Sequence, residues 1–429
     1  MYPIIRKFLL FFLMLSFANV ANSELVIKID KSTVSSIPII IHLIGDTEDF
    51  SSDAIKDVIK SDLYGSGYFK ILDEKNTKNN LKNLSTQYSL WKFAGANYVF
   101  KGSINRDNDS SRITFDLYDI SKKTKISSYK IPLKNNHNVR KVSHTISNVI
   151  FELITGIEGI FDTKIAYISS EDLLTRERYK LYVADIDGFN PVAIFTSNRQ
   201  LMSPAWSPDN KHIAYVSFEN RRPQIFIQTL STGKRKKLFG GKTSSSAPAW
   251  SPDGKKLAYT ATVKGNLEIF IYDLDSGSSS RFTNSIGIDT EADWHPNGEQ
   301  IIFTSDRSGK PNIYIKSVNN KKKAKRLTFE GNYSADANIS NDRNYITYVN
   351  NLGNGYQIAV MDIKRKYTHT ISRGVLDEAP SFAPNGKMIL YATKKKKKGI
   401  LVATSSDGRI RKEIQIVGED VREPVWSNK

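Results

Sequence analysis

Several short stretches of this sequence carry residue types that could hold a metal ion. "DIDG" at Asp185 and "DLDSG" at Asp273 begin like a calcium-binding loop, in which aspartate oxygens at alternate positions contact the ion. Such a loop ends in a glutamate that supplies two oxygens, but the corresponding positions hold Thr196 and Asn284. We therefore interpret both stretches as turns.

Catalytic groups are equally hard to assemble from the sequence. No Gly-x-Ser-x-Gly motif of a serine hydrolase is present, and the absence of cysteine excludes thiolate metal sites and thiol catalysis. No two histidines have the close spacing of a metal-binding pair, and His295 stands where two related stretches have serine, which indicates a turn. The histidines are His42, His137, His144, His212, His295 and His369. The sequence thus predicts no enzyme, no metal site and no cofactor.

The remaining candidates are carboxylates that precede copies of a repeated phrase. The phrase is clearest as "PAWSPDN" from Pro204, "PAWSPDG" from Pro248 and "ADWHPNG" from Ala292. Four of its six copies have acidic residues just before the phrase or at its start: Glu291, Asp336, Asp377, Glu378 and Glu423. Two interpretations stay open. The carboxylates either form an acidic-rimmed pit for a protein loop or peptide, or they hydrogen-bond the ends of neighbouring strands.

The spacing of the phrase predicts the elements that position these carboxylates. Its marker residues recur every 43 to 45 positions, which is the period of a β-propeller blade. Each unit contains four strand-like pieces with alternating apolar and polar residues, and Pro-Asp-Gly or a relative turns the chain after the first piece. The markers are Trp206, Trp250, Trp294, Ile339, Phe382 and Trp426.

The ends of the repeat region predict how the ring closes. The region contains six copies of the first strand of the unit and six copies of the second. The earliest copy of the second strand, "KIAYIS" from Lys164, has no first strand before it. Residues 421–427 therefore supply the innermost strand of the blade whose other strands lie near 164–196. This closes six blades and leaves no long exposed edge.

The region before the propeller lacks this period and alternates helix-like and strand-like segments. A short helix is expected over 52–61, a hairpin from "RITFDLYDI" and "KISSYKIPL", and a last amphipathic helix over 139–155. The fold class is therefore an α/β N-terminal domain, residues 24–157, followed by an all-β six-bladed β-propeller, residues 158–429. Residues 1–23 are expected to be a signal peptide.

The N-terminus and the charge bear on location. An apolar run from Phe8 to Val20 follows Arg6 and Lys7, and Ala21-Asn22-Ser23 predicts cleavage after Ser23; an uncleaved anchor is the alternative. The mature protein is then exported, and no stable membrane insertion is expected.

The net charge of the chain is +18, and it falls to +16 without the signal peptide. The lysine runs lack interleaved aromatic residues, so no nucleic-acid binding is predicted.

Other stretches resemble the TolB family of the Tol–Pal envelope system. The specific ones are "SDLYGSGYFKILD" (61–73), "WKFAGANYVFKGSI" (91–104) and "SHTISNVIFELITGIEGIFDTKIAYIS" (143–169), whereas other propeller families share the repeated phrase. The resemblance covers essentially the whole mature chain. It implies a periplasmic, non-enzymatic protein that supports outer-membrane integrity and constriction during cell division.

The resemblance also implies partners and the residues that contact them. The propeller face would bind the peptidoglycan-associated lipoprotein Pal, and an N-terminal strand would communicate with TolA; other outer-membrane proteins are possible further partners. Candidates for the Pal face are Thr290, Glu291, Arg307, Asp336, Asp377 and Glu378, with Glu423 added from the acidic rim. The TolA segment would be Glu24, Leu25, Val26, Ile27, Lys28, Ile29 and Asp30.

The sequence departs from the family pattern at two places. One unit has Ile339 and Asn341 where the others have the marker tryptophan and the proline. Lys394 to Lys398 stands in a loop of the binding face, so the rim is expected to be more basic than usual and its partner to carry compensating acidic residues. Two alternative functions stay open: a periplasmic propeller for another peptide or glycan, and a propeller-type hydrolase or lyase.

Overall fold

The computed structural model describes residues 36–47, 50–73, 84–107, 110–133, 138–173, 176–239, 244–319, 323–414, 416 and 420–429. The expected signal peptide and the expected TolA segment, Glu24 to Asp30, lie outside these residues. Within the described ranges, no helix is long and apolar enough to cross a membrane.

The N-terminal region is an α/β domain built on one five-stranded sheet. The sheet order is β2-β1-β3-β4-β5; β1 runs parallel to β2 and β3, and the remaining pairs are antiparallel. The strands are β1 (Ile37–Ile44), β2 (Phe69–Leu72), β3 (Tyr98–Asp107), β4 (Ser110–Asp119) and β5 (Thr124–Leu133). The helices are α1 (Ser52–Gly65), α2 (Leu84–Phe93) and α3 (Val139–Thr155).

Both faces of this sheet are covered because apolar side chains alternate along β1. Ile39 and Ile41 pack with α1 and α3, whereas Ile40 packs on the other face with Trp91 of α2. The last helix has the predicted bounds, begins after the N-cap Asn138 and ends at a left-handed Gly156, where a side chain would be strained. The helix predicted over 52–61 continues to Gly65.

The propeller contains six four-stranded antiparallel sheets, which we number as blades I to VI. Blade I is β29 (Asp420–Trp426), β6 (Lys164–Leu173), β7 (Arg176–Asp185) and β8 (Val192–Ser197). Blade II is β9 (Leu201–Trp206), β10 (His212–Ser217), β11 (Gln224–Thr229) and β12 (Arg235–Lys237). Blade III is β13 (Ser245–Trp250), β14 (Lys256–Val263), β15 (Asn266–Asp273) and β16 (Ser279–Arg281).

The other three blades repeat this order from the innermost strand outwards. Blade IV is β17 (Asp289–Trp294), β18 (Gln300–Ser305), β19 (Asn312–Ser317) and β20 (Lys325–Arg326). Blade V is β21 (Tyr333–Ile339), β22 (Tyr345–Asn351), β23 (Gln357–Asp362) and β24 (Tyr367–Thr370). Blade VI is β25 (Glu378–Phe382), β26 (Met388–Lys395), β27 (Lys398–Ser405) and β28 (Arg411–Ile414). The predicted fold class is confirmed.

The ring closes in the predicted way. The C-terminal strand β29 pairs with β6 in the register Trp426 to Ile165, so the chain's last strand completes its first blade. The indole Nε1 of Trp426 also donates to Thr163 Oγ1 at 2.8 Å. The closure therefore depends on both backbone pairing and a buried side chain.

The marker tryptophans connect neighbouring blades, which explains why the phrase recurs. The indole Nε1 of Trp250 donates to the carbonyl of Ala205 at 3.1 Å, and that of Trp294 donates to the carbonyl of Ala249 at 3.2 Å. After three of the markers, a serine and an aspartate form the turn: Ser207 Oγ, for example, donates to Asp209 Oδ1 at 2.6 Å. The phrase is thus structural.

Candidate binding site at the channel mouth

The six innermost strands surround a cavity of about 720 Å³ along the propeller axis. The loops that lead into these strands, together with the loops between the second and third strands, lie around one end of the cavity, which we call the channel mouth. Five of the seven residues predicted for the Pal face line this cavity: Glu291, Asp336, Asp377, Glu378 and Glu423. The structure brings them together from four blades.

Each innermost strand contains a bulge with one residue in the left-handed backbone region. The register shifts in all six strand pairs, and the left-handed residue always stands three positions before the marker. These residues are Ser203, Ala247, Glu291, Asp336, Ala379 and Glu423, with φ between 47° and 53°. The bulge redirects the strand, so three of the acidic candidates occupy equivalent positions in the channel wall.

These three carboxylates hydrogen-bond across blade boundaries. Glu291 Oε2 accepts the backbone N–H of Asp336 at 2.9 Å, and the carboxylate of Asp336 in turn accepts the N–H of Ala379. Glu423 accepts the N–H of Ser203 in blade II. In each case the acceptor and the donor are the left-handed residues of neighbouring blades. The second interpretation of the acidic residues, as partners of neighbouring strands, therefore describes part of their role.

Burial also changes the acidity of this group. Desolvation raises the pKa of Glu291 and, helped by repulsion from Glu291, Glu423 and Glu378, raises the pKa of Asp336 well above its usual value. Burial raises the pKa of Glu423 to about 7, and the Glu378 carboxylate contributes to this rise. The cavity therefore holds carboxyl groups whose pKa values are higher than those of exposed carboxyl groups.

Asp377 immediately precedes β25, and Glu378 is the first residue of that strand. Asp377 is 1% exposed; its Oδ2 accepts the N–H of Gly374 at 3.0 Å, while its Oδ1 has no hydrogen-bond partner among the described residues. Burial raises the pKa of Glu378, although the cations of Arg422 and Lys394 act in the opposite direction. Among the described residues, neither of these carboxyl groups accepts a hydrogen bond from a neighbouring blade, in contrast to that of Glu291.

The other two predicted residues lie outside the cavity wall. Arg307 donates from Nη2 to both oxygens of the fully buried Asp289, at 2.7 and 2.6 Å, and from Nε to Ser305. Thr290 lies with its Oγ1 3.2 Å from the Oγ1 of Thr260. The Arg307 guanidinium is therefore committed to an internal ion pair that fixes its loop.

One acidic residue of the cavity wall was not predicted. Asp293 Oδ2 accepts the N–H of Ile339 and the amide of Asn338, both at 3.0 Å, and burial raises its pKa to about 6. Asp293 precedes a marker, where two other copies have Ala205 and Ala249. The aspartate in place of alanine was the sequence feature that could have indicated this residue. It also explains how blade V is held to blade IV without a marker tryptophan, because Asp293 binds the backbone of Ile339 instead.

Comparisons with known proteins decide the family. A family model described as the TolB amino-terminal domain matches residues 25–126, and one described as the TolB beta propeller domain matches residues 151–429. The chain belongs to the TolB family. This confirms the resemblance seen in the N-terminal stretches.

Individual TolB proteins agree with this assignment. The chain is 49% identical over 379 residues to the Tol-Pal system protein TolB of Xanthomonas oryzae pv. oryzae strain MAFF 311018, which covers 86% of this chain and 84% of that protein. It is 48% identical, with the same coverage, to the protein of that name from Xanthomonas campestris pv. campestris strain B100. The crystal structure of TolB from Acinetobacter baumannii superposes with a TM-score of 0.86 at 37% identity, covering 95% of this chain and all of that one.

TolB membership makes the chain a periplasmic propeller protein of the Tol–Pal system and a non-enzymatic component of it, as the sequence predicted. Among the described residues, one His–Asp group has ligand atoms close enough for a metal ion, within 4.8 Å of one another: Asp62, His144 and Asp187. It lies where α1 and α3 meet the propeller.

Cations of the protein itself already surround that group. Arg140 Nη2 donates to Asp187 Oδ2 at 2.5 Å, and its Nε donates to Asp185 at 3.1 Å. The Lys412 ammonium of blade VI is also buried there; desolvation lowers its pKa, while Asp187 and Asp62 oppose that change. The group is thus an ion-pair network that joins the two regions of this TolB protein.

Proposed function

We propose that this chain binds the lipoprotein Pal at the channel mouth and thereby supports outer-membrane integrity and constriction during cell division. We further propose that its leader is cleaved after Ser23, that residues 24–30 engage TolA, and that residues 24–157 and 158–429 form the two domains of the mature protein. The proposal extends the Tol–Pal membership of the family to named partners and residues.

One observation carries the proposal. Loops of blades IV to VI expose apolar side chains at the mouth, immediately outside the cavity that holds the buried carboxyl groups. Ile286 is fully exposed, and Val375 is 75% exposed. Leu352 and Ile288 are also exposed large hydrophobic residues of these loops. A concave polar site beside a group of exposed apolar residues is typical of a protein-binding surface.

The apolar rim gives a cleaner test than the buried carboxylates, because Glu291 is also a hydrogen-bond partner of a neighbouring blade. Ile286→Asp combined with Val375→Asp changes two exposed side chains that have no such role. Val192→Asp is the matched control, since Val192 is 59% exposed on the outer strand of blade I. All three proteins should have the same melting temperature.

Binding of the mature chain to the soluble domain of Pal is then measured by calorimetry. The rim variant should bind at least about tenfold more weakly than the wild type, since charged groups in a desolvated contact are costly, and the control should bind as the wild type does. A wild-type protein that shows no binding at tens of micromolar would remove the proposal and leave another peptide or a glycan as the ligand.

A further inference from the structure

The channel mouth also carries exposed cations. Lys264 of blade III and Arg373 of blade VI are among them, but most of these cations lie on one side. Residues of blade VI and blade II form a group that we call the basic sector: Arg199, Arg221, Lys394, Lys396, Lys397 and Lys398. All six side chains are exposed, and none makes an ion pair with any part of the chain that the structure describes. Lys395 differs, because its Nζ lies 2.6 Å from Glu413 Oε2.

The nearby acidic residues do not neutralise the basic sector. Glu219 is paired with Arg235 at 2.6 Å, and Asp420 lies 3.4 Å from Arg422. Glu177 accepts the hydroxyl of Tyr179. Glu177 keeps its negative charge, since a tyrosine hydroxyl does not neutralise a carboxylate, but the six cations of the sector outweigh it. The charge of this side is therefore positive on balance, whereas the cavity beside it holds carboxyl groups.

A cleft forms part of the basic sector where blades I and II meet. It measures about 860 Å³, and its wall contains Arg199 and Arg221, the aromatic side chains of Tyr179 and Phe218, and one carboxylate, that of Glu177. Two guanidinium groups without an internal partner can bind a carboxylate through paired N–H donors, and such charge-assisted bonds are stronger than neutral ones. The two arginines outnumber the single carboxylate of the cleft, so its charge favours an anionic side chain.

The opposite side of the mouth has a different character. Ile286 and Ile288 of blade IV, Leu352 of blade V and Val375 of blade VI form an exposed group that we call the apolar sector. The loops 285–288 and 352–356 contain no lysine or arginine, and the exposed Arg373, which precedes Gly374 and Val375, already interacts within the protein. The mouth face is therefore divided, with the apolar sector on blades IV to VI and the basic sector continuing from blade VI to blade II.

We propose that this division fixes the orientation of the protein that docks on the mouth. An acidic surface of the partner lies over the basic sector, with one carboxylate in the cleft of Arg199 and Arg221, and an apolar segment lies over the apolar sector. The inference rests on the proposed function, because it requires a protein partner at the mouth. Complementary charge accelerates encounter and rejects other orientations, whereas apolar burial lowers the dissociation rate.

The test compares charge reversals on the two faces of the propeller. One variant carries Arg199→Glu and Arg221→Glu, and a second carries Lys394→Glu, Lys396→Glu and Lys398→Glu. The control carries Lys234→Glu, Lys255→Glu and Lys364→Glu, which are exposed lysines in turns at the opposite face. Association and dissociation rates with the soluble Pal domain are measured at about 50 mM and about 500 mM salt.

Both sector variants should associate at least about tenfold more slowly than the wild type at low salt, and this difference should shrink at high salt. The control should remain within about twofold of the wild type. Val375→Asp should instead act mainly on the dissociation rate. Sector variants that associate like the wild type, or a control that loses as much as they do, would overturn the orientation and leave Pal binding intact.

Absence of wild-type binding would overturn the proposed function together with the orientation that rests on it. A lipid surface is the competing occupant of the basic sector. Vesicles with about 30% phosphatidylglycerol provide that comparison, since cationic groups bind anionic headgroups. Vesicle binding that the sector variants lose, while their association with Pal stays unchanged, would assign the sector to lipid and refute the inference.

Discussion

The carboxylate of Glu291 on β17 accepts the backbone N–H of Asp336 on β21 at 2.9 Å, and both residues occupy the left-handed bulge position of neighbouring blades. Glu423 has the same relationship to Ser203. These acidic residues therefore hold blades together at the place where a ligand would enter the cavity. Their two interpretations from sequence, as a binding rim and as partners of strand ends, are not exclusive.

The first prediction separates the charge of Glu291 from its role as an acceptor. Glu291→Gln keeps an oxygen for the N–H of Asp336, and it should leave the free energy of unfolding unchanged or slightly raised near neutral pH. Glu291→Ala removes the acceptor but leaves Thr304 Oγ1, which lies 3.0 Å from the same nitrogen. We expect a loss of about 1 kcal/mol, measured by chemical unfolding. Equal stability of the two variants would show that the bond contributes nothing.

The second prediction concerns pH. Burial raises the pKa of Glu423 from 4.5 to about 7 in the folded protein, so the folded state binds this proton more tightly than the unfolded state does. The stability that depends on this group is therefore present at low pH and is lost as the pH rises from about 4.5 to 7. A glutamine side chain at this position does not titrate, so Glu423→Gln should raise the free energy of unfolding above that of the wild type at about pH 8, by at most about 3 kcal/mol.

Thermal unfolding at about pH 5 and about pH 8 provides the measurement. The difference between Glu423→Gln and the wild type should be small at the lower pH and grow at the higher one. Glu330→Gln, at an exposed site in a mouth loop, is the control and should show no such growth. A difference independent of pH would mean that Glu423 has an ordinary acidity in the folded protein.

The sequence was sufficient to predict the six blades and their closure because both follow from local patterns that recur. The period located every marker, and the unpaired pieces at the two ends indicated that 421–427 belongs beside Lys164. The left-handed bulges were not predictable, since none of the six positions holds the glycine that signals such a backbone. Burial of Asp293 and Glu423 likewise depends on side-chain directions between blades, which a strand pattern does not determine.

The ion-pair network between the two regions was missed for a related reason. Asp62, His144, Asp187 and Lys412 come from four separate parts of the chain, and no spacing connects them. Only the packing of α1 and α3 against blades I and VI brings them together. Arg307 was predicted as a partner-binding residue because its loop belongs to the mouth face. Its internal ion pair with Asp289 could not be predicted from the sequence.

The third prediction tests this network through Arg140. Its guanidinium contacts Asp185 and Asp187, and it lies 4.3 Å from the ring centroid of Phe189. Arg140→Ala leaves two buried carboxylates without this cation and should lower the free energy of unfolding by about 3 kcal/mol. Adding Asp187→Asn removes one of the uncompensated charges and should recover part of the loss. A double variant as unstable as Arg140→Ala would show that packing on Phe189, rather than charge, is what matters.

The last prediction concerns the C-terminal strand. Deleting residues 422–429 removes most of β29, including Trp426, whose backbone N–H donates to Ser381 Oγ at 3.0 Å and whose indole donates to Thr163. Blade I then loses its innermost strand, and apolar residues of β6 and of blade VI that pack on Trp426 become exposed. Because the ring is closed only by this strand, the whole propeller should unfold at lower temperature in one cooperative transition. Deletion of Lys429 alone removes a single surface ion pair with Glu158 and should change the melting temperature little. Calorimetry of the two truncated proteins decides the matter, and unchanged melting after the longer deletion would refute closure by β29.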